Sequence, residues 1–118
     1  MVGHSLGGYL SFELLRQADP GRIRSLLLCS TQVRADTPAI QRHRRMLMDK
    51  TATTAIRILV GDEDGITPRA CSAEMGRLVG IDGAVTAVGG GVGHLLPLEA
   101  PRTLAEALLE LWDETDPE

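Results

Sequence analysis

The chain predicts an α/β fold in which about three parallel strands are flanked by helices. Three observations carry that prediction. Short apolar runs of strand length alternate with longer segments of helical periodicity, the pattern of βαβ units. The run from Ile23 to Cys29 is apolar apart from Arg24 and Ser25, as in a parallel strand covered on both faces. Acidic or glycine-rich turns close the later runs, Val60 to Pro68 after one and Gly89 to Gly93 after another.

Taken in order, the elements follow from the side chains. Residues 1 to 8 hold a glycine-rich turn that leads into a helix. In that helix Leu6, Leu10 and Leu14 share one face, while Tyr9, Phe12, Leu15 and Ala18 cover much of the rest, so it is expected to be largely buried. Asp19-Pro20-Gly21 ends it. The strand from Ile23 to Cys29 follows. Thr37 and Pro38 read as N-cap and first position of a basic helix reaching about Lys50. Ile56 to Val60 is the next strand, Thr67-Pro68 starts a helix reaching about Val79, and Ala84 to Val88 is the last short strand. Pro101 opens a final helix with Leu104, Leu108, Leu111 and Trp112 at the spacing of one apolar face, and Asp113 to Glu118 reads as an acidic, frayed tail.

At 118 residues the chain has material for one compact domain. Aromatic residues make up only 3%, so the core must be aliphatic. A formal net charge of −4 offers no general attraction to nucleic acid or anionic membrane, and neither is expected as a partner. Cys29 and Cys71 do not make a disulfide framework and read as reduced thiols. No charged-then-apolar leader opens the sequence and no apolar run nears the roughly 18 residues of a membrane span, so the expected product is soluble and cytoplasmic.

Chemistry concentrates at three places. Gly3-His4-Ser5-Leu6-Gly7 has the G-x-S-x-G arrangement of a nucleophile elbow, where a sharp strand-to-helix reversal presents a serine hydroxyl near a helix N-terminus. The flanking Gly3 and Gly7 are expected to be glycine because a side chain there would meet neighbouring backbone. At this glycine and serine content the pattern arises by chance roughly 0.06 times, so context must support it. It does. Asp64 follows an apolar strand and His94 stands in a glycine-rich loop, giving the order serine, acid, histidine. Each has a plainer reading as well. Ser5 would serve as a helix cap, Asp64 could cap the helix begun near Pro68, and His94 could be a loop histidine bonded to backbone.

The remaining candidates weaken on inspection. His4 reads as packed beside the elbow, and His43 within Arg42 to Arg45 as part of a solvated helix face. Three scattered histidines lack ligand spacing, so no metal is expected. Gly89 to Gly93 is not a dinucleotide fingerprint, because G-x-G-x-x-G from Gly89 needs glycine where His94 stands.

At GHSLGG (residues 3 to 8), at the G-x-x-D-x-x-x-P spacing of Gly61, Asp64 and Pro68, and at the G-H-x-x-x-x-E-x-P spacing of Gly93, His94, Glu99 and Pro101, the chain resembles the α/β-hydrolase superfamily. The likeness is to small carboxylester hydrolases and the 3-oxoadipate enol-lactonase-like branch. It implies Ser5 as nucleophile, His94 as general base and acid, Asp64 as the carboxylate that orients the imidazole, and the Leu6 backbone N–H as an oxyanion donor. Asp64 is preferred to Asp62 because only Asp64 keeps the family distance to both Gly61 and Pro68. It further implies small ester or lactone substrates, an acyl-enzyme and no cofactor.

Against a complete enzyme of that family, the chain reads as one partial domain spanning 1–118. It has an elbow at 1–8, a shortened lid at about 34–55, and acid and histidine loops at 61–68 and 89–101. Strands upstream of the elbow are expected to be absent, with one usual oxyanion donor, which predicts weak hydrolysis of small activated esters. The competing expectation is a non-catalytic module: the strand at residues 23–29, without a neighbour on one side, would pair with a partner or a second copy of the chain.

Overall fold

The computed structural model describes residues 1–19, 21–32, 49, 54–78, 80 and 84–115. The proposed basic helix to Lys50, His43, and nearly all of the expected lid at 34–55 lie outside the described residues.

Among the described residues four strands form one parallel sheet in the order β1-β2-β3-β4, one more than the approximate count expected. They are β1 (Val2–His4), β2 (Ser25–Cys29), β3 (Ala55–Gly61) and β4 (Val85–Val88). The additional strand is β1, three residues that pair with β2 in the register Val2↔Leu27, Gly3↔Leu28 and His4↔Cys29. The neighbour expected to be missing from β2 is therefore present, and among the described residues β1 is the edge strand on that side. β2 begins at Ser25, later than Ile23, and pairs on its other side with β3 from Ser25↔Ala55 to Cys29↔Leu59. The sheet closes with β3–β4 pairing from Ile58↔Val85 to Gly61↔Val88.

The two faces of the sheet build two cores by simple alternation. Leu26 and Leu28 point to one side and join Phe12, Ile56, Ile58 and Met75 beneath helices α1 (Leu6–Gln17) and α2 (Arg69–Leu78). Leu27 and Cys29 point to the other side and join Leu59, Val88, Val92, Leu96 and Leu111 beneath α3 (Leu96–Glu99) and α4 (Pro101–Thr115). A strand lined on both sides needs an unbroken apolar run, and Leu26 to Cys29 are all completely buried. Strands stepping one way across the sheet, with crossovers of one hand, place α1 and α2 on the same face.

Two helices present different faces from those expected. In α1 the buried positions are Gly8, Ser11, Phe12 and Leu15, and Leu6, Leu10 and Leu14 are 66%, 58% and 54% exposed. The reason is a close approach: a Cβ on Gly8 would lie 2.2 Å from Thr31 Oγ1, so the helix settles with Gly8 against the chain after β2. At 3.6 residues per turn the leucine stripe then points about 180° away. The side chain of Tyr9 lies outside the described residues. In α4 the inward face is Leu104, Ala107 and Leu111, continuing from Ala100 just before it, whereas Trp112 is 59% exposed and Leu108 sits at the margin. The helix also runs on through Thr115, whose hydroxyl donates to the Leu111 carbonyl at 3.0 Å, where a frayed tail from Asp113 was expected.

Cys29 is buried, Cys71 is half-buried, and neither is in a disulfide. Burial pushes the Cys29 thiol up to about 11, which keeps it protonated and inert. No helix among the described residues is long and apolar enough to cross a membrane.

Candidate active site

All strands run the same way, so the loops that follow β1, β3 and β4 emerge at one rim of the sheet. Ser5 follows β1, Asp64 follows β3 and His94 follows β4.

Ser5 turns the chain from β1 into α1 with φ 53° and ψ −117°, a region that L-residues rarely occupy and that costs about 1–3 kcal/mol. Tertiary contacts hold it there. Its N–H donates to the Cys29 carbonyl at 3.1 Å, and its carbonyl accepts from the Thr31 hydroxyl at 2.7 Å and from the Gly8 N–H at 2.9 Å. Ser5 makes no side-chain capping bond to α1, so its hydroxyl is directed elsewhere. Leu6, directly after it, opens the helix, and an α-helix leaves its first N–H groups without intrahelical carbonyls.

The two elbow glycines are not equivalent. A Cβ on Gly3 would lie 2.4 Å from Ser11 Oγ and 2.8 Å from the Gly7 carbonyl oxygen, so Gly3 is sterically required. A Cβ on Gly7 would meet nothing within 4 Å, contrary to expectation. The second crowded position is Gly8.

Across the rim, Ser5 Oγ lies 2.9 Å from His94 Nε2, although the two residues are 89 apart in sequence. On the other side of the imidazole, Nδ1 lies 3.2 Å from Asp64 Oδ1 and 3.1 Å from Asp64 Oδ2. The carboxylate side chain is fully buried and the imidazole is 15% exposed. Asp64 also takes the turn-forming role of its plainer reading: Oδ1 accepts the Ile66 N–H at 3.0 Å and the Thr67 N–H at 2.8 Å, and Oδ2 accepts the Thr67 hydroxyl at 2.9 Å. Burial alone would raise its pKa. The bonds from the Thr67 amide, His94, the Thr67 hydroxyl and the Ile66 amide outweigh that effect and hold the carboxyl below its ordinary range.

The acid and histidine loops are clamped together. A Cβ on Gly61 would lie 2.2 Å from the Val92 carbonyl oxygen, so only glycine permits the approach. Glu63 N–H donates to that carbonyl at 2.9 Å, and Asp62 Oδ1 accepts the Val92 N–H at 2.9 Å. Asp62, the acid passed over for Asp64, is thus a brace for the histidine loop. Glu99 Oε1 accepts the Gly93 N–H at 3.0 Å, which accounts for the spacing of Glu99 from His94. His4 Nε2 donates to the His94 carbonyl at 2.8 Å, with the two ring centroids 5.4 Å apart.

Ser5, His94 and Asp64 are therefore brought together in one hydrogen-bonded chain, with Leu6 next to Ser5 in sequence. Thr67, Thr31 and the bracing role of Asp62 escaped the sequence reading. Thr67 had a usable signal, since a hydroxyl three residues after an aspartate and directly before proline fits a side-chain-closed turn. Thr31 had none, because its partner is 26 residues away.

The architecture is part of the α/β-hydrolase fold. An esterase from the thermophile Thermogutta terrifontis, solved with malate bound, superposes with a TM-score of 0.68 at 20% identity over 97% of this chain. A meta-cleavage product hydrolase from Pseudomonas fluorescens, in a variant complexed with acetates, gives a TM-score of 0.64 at 19% identity over 98% of this chain. A second variant of such a hydrolase gives 0.63 at 18% identity over 96% of it. In each case the chain spans 64% of the length of the solved protein. No family model matches the sequence, and no curated protein matches it.

Proposed function

We propose that this chain carries a serine-hydrolase site for small carboxylic esters or lactones, working through an acyl-enzyme. The observation that supports it most is the 2.9 Å contact between Ser5 Oγ and His94 Nε2, continued on the far side of the ring to the Asp64 carboxylate. The fold shared with an esterase and a meta-cleavage product hydrolase supports a hydrolase, without naming a substrate.

In this reading Ser5 Oγ attacks the acyl carbonyl carbon as its proton passes to His94 Nε2. The carbonyl π electrons move onto oxygen, and the oxyanion is met by the Leu6 N–H and the positive end of α1. Collapse of the intermediate breaks the bond to the leaving alkoxide, which takes the proton from His94. Water then enters, gives a proton to the same nitrogen and attacks the acyl carbon; collapse of this second intermediate breaks the bond to Ser5 Oγ, which takes the proton back from His94 as the acid leaves. Asp64 holds the imidazole with Nδ1 protonated and offsets its transient charge. No cofactor takes part in these steps.

A fluorophosphonate probe tests the reading. Label is expected on Ser5, absent in Ser5→Ala and reduced by about 10²-fold or more in His94→Ala, the scale of a lost general base. An unlabelled wild-type protein at millimolar probe would remove the enzyme reading. A second reading, a non-catalytic module that binds a partner or a second copy, is favoured by one surface: among the described residues β1 is paired on one side only, and Leu6, Leu10 and Leu14 stand exposed on the following helix.

A further inference from the structure

We infer that Thr67 is a positioning residue that fixes the tautomer of His94, an inference that takes the proposed serine-hydrolase site as its setting. The Thr67 side chain is almost fully buried, and its Oγ1 lies between the two groups of the relay, 2.9 Å from Asp64 Oδ2 and 3.2 Å from His94 Nδ1.

A hydroxyl has one proton to give. Two arrangements satisfy the distances. In the first, Thr67 donates to His94 Nδ1, so that Nδ1 carries a lone pair. That lone pair would then face both Asp64 oxygens, at 3.2 and 3.1 Å, acceptor against acceptor in a buried site. In the second, Thr67 donates to Asp64 Oδ2, its own lone pair faces Nδ1, and Nδ1 must carry the proton. Only the second leaves no opposed acceptors. The ring nitrogen is then ringed by three oxygens that can only accept, and Nε2 is left with its lone pair toward Ser5 Oγ.

Asp64 by itself would not hold this geometry so tightly. Both of its oxygens must face Nδ1, and a carboxylate is free to swivel about its last torsion. Thr67 removes that freedom by holding each oxygen separately, Oδ1 through its amide and Oδ2 through its hydroxyl. Pro68 helps from the next position, because a residue before proline is kept out of the helical region, and α2 begins only at Arg69. Its side-chain bonds go to Asp64 and His94, so it acts through them.

The test compares Thr67→Val, which keeps shape and amide but loses the hydroxyl, with Thr67→Ser, which keeps the hydroxyl. Two readouts are used. On p-nitrophenyl acetate, Thr67→Val is expected to lower kcat by about 10- to 100-fold with KM within about twofold, the scale of one hydrogen bond to a charged group, and Thr67→Ser to restore at least half of the lost rate. Nitrogen-15 shifts of the His94 ring report the tautomer whether or not the protein turns over. Wild type and Thr67→Ser are expected to show the Nδ1–H form, and Thr67→Val a mixture of the two. If Ser5 takes no fluorophosphonate, the hydrolase reading fails and the ring spectrum still judges Thr67. Should Thr67→Val not fold, Thr67→Ala removes the same hydroxyl and is read in its place. A wild-type His94 in the Nε2–H form, or a hydroxyl-free variant with an unaltered ring spectrum and unaltered kcat, would overturn the inference.

Discussion

Asp64 shows how a single carboxylate can face two sets of partners at once. Its spacing to Gly61 and Pro68 marked it as the acid of the site, while a second use as a turn-closing cap looked like the competing explanation. The geometry accommodates both, because one carboxylate has enough lone pairs for two backbone N–H groups, a hydroxyl and an imidazole. This has a pH signature. The carboxyl is held below its ordinary value in the folded chain, so its ionised form contributes stability that is fully present above about pH 4, the unfolded value, and is lost as pH falls below it. Thermal melts of wild type and Asp64→Asn are expected to differ most near neutrality and to converge under acid. A gap that stays constant or widens below about pH 4 would contradict this linkage. Gly7 and Gly8 offer a second residue-level contrast. Gly8→Ala pushes a methyl into Thr31 and is expected to cost about 1–3 kcal/mol, whereas Gly7→Ala meets open space and is expected to be neutral or to stabilise by up to about 1 kcal/mol. Urea denaturation of the two variants gives both numbers. The motif's regular glycine spacing made Gly7 look essential, but steric need depends on which helix face approaches the sheet, and no local pattern encodes that.

At the scale of elements, β2, β3 and β4 were legible because a buried parallel strand needs an apolar run, and such runs are rare outside it. β1 was not, since a three-residue strand gives no periodicity to read; only its register against Leu27 to Cys29 defines it. Helix faces were harder than helix existence. In α1 two apolar stripes compete, Leu6-Leu10-Leu14 and Phe12-Leu15, and the three leucines look stronger by hydropathy. The decision came from Gly8, whose missing side chain lets the weaker stripe pack against the sheet. In α4 Ala107, with Ala100 just before the helix, packs on the core beside Leu104 and Leu111, while Trp112 is exposed. Small residues in a helix can therefore mark the docking face better than large ones. Leu10→Gln is accordingly expected to change stability by no more than about 0.5 kcal/mol, and Phe12→Ala to cost about 3–5 kcal/mol, as read by chemical denaturation. The reverse order would mean that the leucine stripe is covered.

For the molecule as a whole, the rim where Ser5, Asp64 and His94 meet follows from the sheet being parallel, which the alternation of elements already implied. How the acid and histidine loops lock was not implied, because Gly61 against Val92 and Asp62 against the Val92 amide are contacts between segments about 30 residues apart. Among the described residues β1 is the edge strand, and Leu6, Leu10 and Leu14 stand exposed on the helix that follows it. Light scattering is expected to show concentration-dependent self-association that Leu10→Glu weakens; a dilution-resistant monomer in both proteins would count against it. That same edge bears on chemistry. Ser5 directly follows the shortest strand of the sheet, which among the described residues is paired on one flank only, so its alignment with the imidazole is the first thing that peripheral fraying would spoil. A molecule zipped onto that outer flank would brace the hydroxyl from behind without touching the serine or the imidazole.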